Sequence, residues 1–117
     1  MSASGSCLFC GIVQGSTPAE IVGRSEHGVA FRDIAPQAPV HLLVVPVRHI
    51  DHAAAVTAAD AAVLADLFVL ARTVAEAEGV AASGYRLVAN VGEDALNSVG
   101  HLHFHVLGGR RLSWPPG

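Results

Sequence analysis

The stretch His101-Leu102-His103-Phe104-His105-Val106-Leu107 is the strongest constraint on how this chain folds. Histidine and apolar residues alternate along it, the period-two pattern of a half-buried strand. Side chains on a strand alternate faces, so three imidazoles line one side while Leu102, Phe104 and Val106 enter a core on the other. Neighbouring rings in such a row stand about 6.8 Å apart along the backbone. A solvent face ordinarily carries Thr, Lys or Glu. A row of titratable rings on a rigid element points instead to a site.

The chain of 117 residues is long enough for one core and reads as a single domain over 1–117. Its hydrophobic fraction of 51% and charged fraction of 15% exclude a disordered chain. A net charge of −3, with seven Arg and no Lys, argues against a nucleic-acid partner. The absence of Lys also excludes Schiff-base and Walker-type lysine chemistry. No apolar run is long enough to cross a bilayer, so no membrane partner is expected. Residues 1–6 lack the parts of a secretory signal and read as a flexible N-terminus. A cytoplasmic location follows as an expectation.

Cys7-Leu8-Phe9-Cys10 begins a short helix that runs to about Val13 and ends at Gly15 and Pro18. A thioredoxin-type redox pair would want a strand ahead of it. That leaves half of a zinc site, favoured because histidines are plentiful, or two cysteines buried as small apolar residues. Residues 20–25 and 28–33 read as strands joined by a tight turn, with His27 a solvated turn residue. Asp33 opens a proline-stiffened loop through Pro36 and Pro39. Its carboxylate suits either the two hydroxyls of a ribose or a turn cap.

His41 to Pro46 is an apolar run that reads as a central strand buried on both faces. His41 either orients a catalytic ring or is a hydrogen-bonded core histidine. His49 and His52 follow in a loop, as spare ligands or surface residues. Thr57 to Asp60 resembles a capping box opening a long helix. That helix buries Val63, Leu64, Leu67, Phe68, Leu70, Ala71 and Val74 and stops near Gly79. Residues 85–90 form a further strand. The Gly-bracketed loop 91–100 can offer backbone N–H groups and the Ser98 hydroxyl to an anion. Residues 110–117 read as an extended tail, whose Trp114 is the only Trp of the chain and suits an anchor on another surface.

An imidazole is partly neutral at pH 7 and nucleophilic without help. His103 alone has a histidine two positions away on either side, which makes it the best nucleophile. Attack on phosphorus would give a covalent nucleotidyl-histidine that water can break, with His105 as general acid. A metal is the rival reading of the row, but three rings spanning about 13 Å converge badly on one ion. His101 serves better in a closed Cys2His2 site with Cys7, Cys10 and His49, leaving His103 and His105 free. A closed site of that kind is structural.

The row matches the motif His-φ-His-φ-His-φ-φ in full. Together with Asp33 to His41, Val45 to Ile50, His105 to Gly109 and Trp114-Pro115-Pro116-Gly117, it resembles the histidine-triad (HIT) family, nucleotide-binding Hint branch. The resemblance implies an α+β fold: a five-stranded antiparallel sheet with one long helix and a short N-terminal helix, paired as a homodimer. It implies a hydrolase that cleaves adenosine or guanosine 5′-phosphoramidates to the nucleoside monophosphate and an amine. By position, His103 is the nucleophile, His105 aids the leaving group and His41 supports the triad. Asp33 takes the ribose, and Asn90 and Ser98 border the phosphate. Phe9, Phe31, Ile34 and Leu43 line the base pocket, and Trp114 reaches the partner subunit's site. The pair Cys7/Cys10 resembles zinc-bearing bacterial members, whose ligands correspond to Cys7, Cys10, His49 and His101. Leu96-Asn97 and Gly100 depart from the family pattern, which puts leaving-group preference in question. The alternatives are a dinucleoside polyphosphate hydrolase and a zinc-stabilised nucleotide-binding regulator.

Overall fold

A computed structural model describes residues 7–117; the expected flexible segment 1–6 lies outside the described residues. The sheet carries five antiparallel strands: β1 (Ile21–Arg24), β2 (Gly28–Arg32), β3 (Val40–Pro46), β4 (Tyr85–Val88) and β5 (Phe104–Gly108). Their spatial order is β1-β2-β3-β5-β4. Among the described residues, two α-helices complete the fold, α1 (Leu8–Gln14) and α2 (Ala61–Ala77).

Strand parity decides which face each residue serves. Ala30, Leu42, Val44, Leu102 and Val106 pack with Leu67, Leu70, Ala71 and Val74 of α2. The alternate positions Val29, Phe31, Leu43 and Val45 pack with Phe9 and Ile12 of α1. With helices on both faces, β3 is buried along almost its whole length, which is why it reads as a continuous apolar run. The expected inward set Leu102, Phe104 and Val106 joins the α2 core.

Local signals place both helices. Cys7 caps α1, its Sγ accepting the Cys10 N–H at 3.3 Å, and Gly15 closes the helix at φ 85°. The capping box at Thr57 is present, but it opens a 3-10 turn (Ala58–Asp60) that leads into α2. Asp60 there also receives Arg48, tying the loop after β3 to the start of α2. Gly79, at φ 78°, ends α2 as expected. Phe68 departs from the expected stripe: it is 50% exposed, its ring tilted at 47° against Phe104. It follows Leu67, which takes the fully buried place on that turn.

The histidine row is a second departure. The strand expected from residue 101 begins at Phe104. Residues before it are drawn out of the ladder by other partners: Leu102 N–H donates to Ile50 O at 2.6 Å and His101 Nε2–H to Pro46 O at 2.9 Å. The first histidine is therefore bound to the loop after β3 and not to a neighbouring strand.

Candidate functional site

His103 and His105 stand on the α1 face of the sheet with ring centroids 5.1 Å apart. His103 is buried, and its Nδ1–H donates to the His101 carbonyl at 2.7 Å. That bond places the ring proton on Nδ1 and leaves a lone pair on Nε2. Phe9 meets the same ring edge-on at 5.1 Å, holding its plane. The nucleophile expected from the row is thus oriented by the backbone of the preceding histidine.

His41 lies one strand away. The register pairs His41 with Leu107 and Leu43 with His105, so the two histidines are diagonal neighbours on one face. Their rings bond through His41 Nε2 and His105 Nδ1 at 2.9 Å, and Asp33 Oδ2 lies 3.4 Å from the same His41 nitrogen. Burial is the main cause that lowers the pKa of both rings; His105 falls to about 4, with positive charge on His103 and His41 adding. Asp33 opposes the shift at His41. Asp33 also caps a turn, its Oδ1 accepting the Ala35 N–H at 2.8 Å, the second of the two roles read for it.

Among the described residues, two groups of donor atoms are close enough to surround one ion: Cys7, Cys10, His49 and His101, and Asp33, His41 and His105. Their surroundings separate them. In the first, Cys7 Sγ lies 3.3 Å from His101 Nδ1, and Cys10 Sγ lies 3.3 Å from His49 Nδ1 and 3.4 Å from His101 Nδ1. A tetrahedral thiolate–imidazole centre needs about 3.5 Å between such ligands. The far nitrogens of both rings face acceptors: His49 Nε2–H meets Asp51 Oδ1 at 2.8 Å and His101 Nε2–H meets Pro46 O. Each ring therefore turns an unprotonated Nδ1 toward the centre, the arrangement metal-bound histidines adopt. Burial, with Cys7 adding, pushes the Cys10 thiol up to about 11, so it keeps its proton unless a cation displaces it. The four residues form a possible Cys2His2 metal-binding cluster.

The second group lacks this support. The Gln37 N–H donates to His41 Nδ1 at 3.0 Å. A ring bound to a metal through Nε2 would carry its proton on Nδ1, against that N–H. This group suits a proton and not an ion.

Beside the rings opens a cavity of about 400 Å³ between α1, strands β2 and β3 and the loop that joins them. Phe9, Phe31, Ile34 and Leu43, expected at a base pocket, all line it, together with Asp33 and Ser98. Ile34 is 98% exposed at its rim. Leu8, Ile12, Thr17, Pro18, Ala19, Arg32 and Val99 also line it and were missed from sequence. The apolar period of α1 could have indicated Ile12; the loop residues 17–19 carry no local signal. Arg32 points its guanidinium to Glu78, at 2.7 and 2.9 Å, and to Glu20 at 2.8 Å. Five residues expected at the catalytic and nucleotide site lie outside the lining: His41, His103 and His105, which stand behind Asp33, Phe9 and Leu43, Asn90, partly buried after β4, and Trp114, 81% exposed on the tail.

The fold and the site define an α+β protein built around paired histidines beside an apolar cavity. The HIT domain matches residues 14–112, and the chain belongs to that family. It is 44% identical over 110 residues to an uncharacterised HIT-like protein of Synechococcus elongatus, covering 94% of this chain and 96% of the relative. A HIT family hydrolase from Legionella pneumophila superposes with a TM-score of 0.92 at 48% identity, over 95% of this chain and 99% of that one. A histidine triad protein from Clostridium difficile gives 0.88 at 33% identity, over 92% and 94%. A hypothetical histidine triad nucleotide-binding protein from Sulfolobus tokodaii gives 0.76 at 29%, over 93% and 72%.

Proposed function

We propose that this chain is a Hint-branch purine nucleoside phosphoramidase. The observation that carries the reading is the His103 ring: Nδ1–H is held by the His101 carbonyl and Nε2 is left as a lone pair. Names of similar proteins, a HIT family hydrolase and a histidine triad nucleotide-binding protein, agree with it. The cavity falls in the size range of small-ligand pockets, about 300–1,000 Å³, and its apolar walls suit a purine.

In this scheme the base enters between Phe9, Phe31, Ile34 and Leu43. Asp33 takes the ribose hydroxyls, and Ser98 and Asn90 border the phosphate. His103 Nε2 attacks phosphorus, forming a P–N bond to the ring as the bond to the amine breaks. The departing nitrogen takes a proton from solvent, while the neutral His105 ring donates its Nε2–H as a hydrogen bond to the phosphoryl group. Water then attacks phosphorus, the P–N bond to His103 breaks, a proton returns to solvent and the nucleoside monophosphate is freed. Cys7, Cys10, His49 and His101 would hold one structural zinc ion, whose chemistry is to fix α1 and the His101 backbone. A cytoplasmic homodimer completes the reading; the free edge of β4 and the exposed Phe68 and Val69 offer surface for it. Trp114 would then reach the partner subunit's site.

A panel of adenosine and guanosine phosphoramidates against dinucleoside polyphosphates tests the assignment. Wild type should turn over the phosphoramidates, and His103→Ala should lose turnover while still binding AMP. Full activity in that variant ends the proposal, and AMP binding with no turnover by wild type favours a regulator. Metal analysis should return about one zinc per chain; a metal-free protein of undiminished stability would refute the zinc assignment.

A further inference from the structure

The hydrogen bonds around His41 have a direction. Its Nδ1 accepts the Gln37 N–H at 3.0 Å, so that nitrogen carries no proton. The proton of the neutral ring then sits on Nε2. Two acceptors face it there, His105 Nδ1 at 2.9 Å and Asp33 Oδ2 at 3.4 Å. His105 Nδ1, accepting in turn, leaves the proton of its own ring on Nε2. Among the described residues, the His105 ring makes its hydrogen bond through Nδ1 alone.

We propose that the main-chain N–H of Gln37 is a positioning group that fixes His105 as a hydrogen-bond donor through Nε2, and that Arg110 steadies Gln37 through its carbonyl, in the peptide that follows. The neighbouring rings then present opposite states: a lone pair on His103 Nε2 and a proton on His105 Nε2. No net charge is needed on any of the three histidines, in keeping with the burial that disfavours charge on His41 and His105.

Gln37 is clamped on both sides of its N–H, through its carbonyl and its side chain. Arg110 Nη2 donates to its carbonyl at 3.1 Å, and its own Nε2 donates to Ala35 O at 2.9 Å. Ala35 N–H is held by Asp33 Oδ1, and Asp33 N–H donates to the His41 carbonyl at 3.0 Å. Arg110 is exposed, lies beyond Gly108 and Gly109, and acts on the rings only through this loop. The proposal rests on the phosphoramidase reading for the use made of the proton, but not for its location.

Two-bond proton–nitrogen correlation spectra of histidine-labelled, metal-loaded protein at pH 7.5 read the tautomers directly. His41 and His105 should both be Nε2–H forms. An Nδ1–H form of His41 overturns the proposal. Arg110→Met should shift His105 toward a mixture of tautomers and lower kcat about three- to tenfold, with KM and melting temperature held. Gln37→Pro removes the N–H and should lower kcat at least about tenfold. A folded Gln37→Pro protein with wild-type tautomers and wild-type kcat also overturns it. If Gln37→Pro does not fold, the wild-type spectrum decides. Tautomers as stated without phosphoramidate cleavage would refute the functional reading and leave the positioning role standing.

Discussion

Acid should weaken this protein through His105, by an amount that the structure bounds. In the unfolded chain the ring titrates near 6.5. In the folded chain it stays neutral down to about pH 4, because burial penalises its charged form. Above pH 6.5 neither state holds the proton, and the ring makes no pH-dependent difference. Below it, the unfolded chain takes up a proton that the folded chain refuses, so stability falls by up to about 1.4 kcal/mol for each unit of pH. Across the interval down to about pH 4 the ceiling is about 3.4 kcal/mol. Solvent reaching this partly open site reduces that to about 2 kcal/mol. Urea unfolding of wild type and His105→Gln at pH 7.5 and 4.5 isolates the effect. Acid losses at Asp60, Asp66 and the Cys2His2 cluster are common to both proteins and cancel in the difference. The gap in stability between wild type and variant should move against wild type by about 1.5 kcal/mol at pH 4.5, most of that interval having been crossed. A gap that does not change with pH, or one that moves toward wild type, would mean that the folded ring titrates at its ordinary value, and the reasoning fails.

Two further substitutions test the packing. A Cβ at Gly108 would lie 3.0 Å from Val80 Cβ and 3.1 and 3.2 Å from its methyls. Val80 is stiff at χ1, so Gly108→Ala should cost about 1–3 kcal/mol in urea or thermal unfolding, and an unchanged midpoint would show that Val80 yields freely. Leu96 sits at φ 60° while 85% exposed. Leu96→Gly should raise stability by about 0.5–1 kcal/mol, the left-handed strain relieved less the added freedom of the unfolded chain; a loss of stability would show that the side chain makes a contact worth more than the strain.

Local pattern in the sequence determined a good deal of this protein. Alternation placed Leu102, Phe104 and Val106 in one core and the histidines on the opposite face. The Cys7–Cys10 spacing, the Thr57 capping box and the closing glycines Gly15 and Gly79 located the helix ends. The apolar run after His41 identified the central strand. These features are legible because each is set by neighbours within a turn or a few strand residues. The tertiary structure alone decided the rest. It drew His101 out of the ladder toward Pro46 and the cysteines, gathered residues 17–19 into the cavity wall, and left Phe68 at the surface. It also set the state of each ring, since His103 is oriented by a carbonyl, His41 by the Gln37 N–H and His49 by the Asp51 carboxylate. Histidine has two ring nitrogens of equal standing in a sequence, and only the hydrogen-bonding group that folding brings against one of them determines which carries the proton.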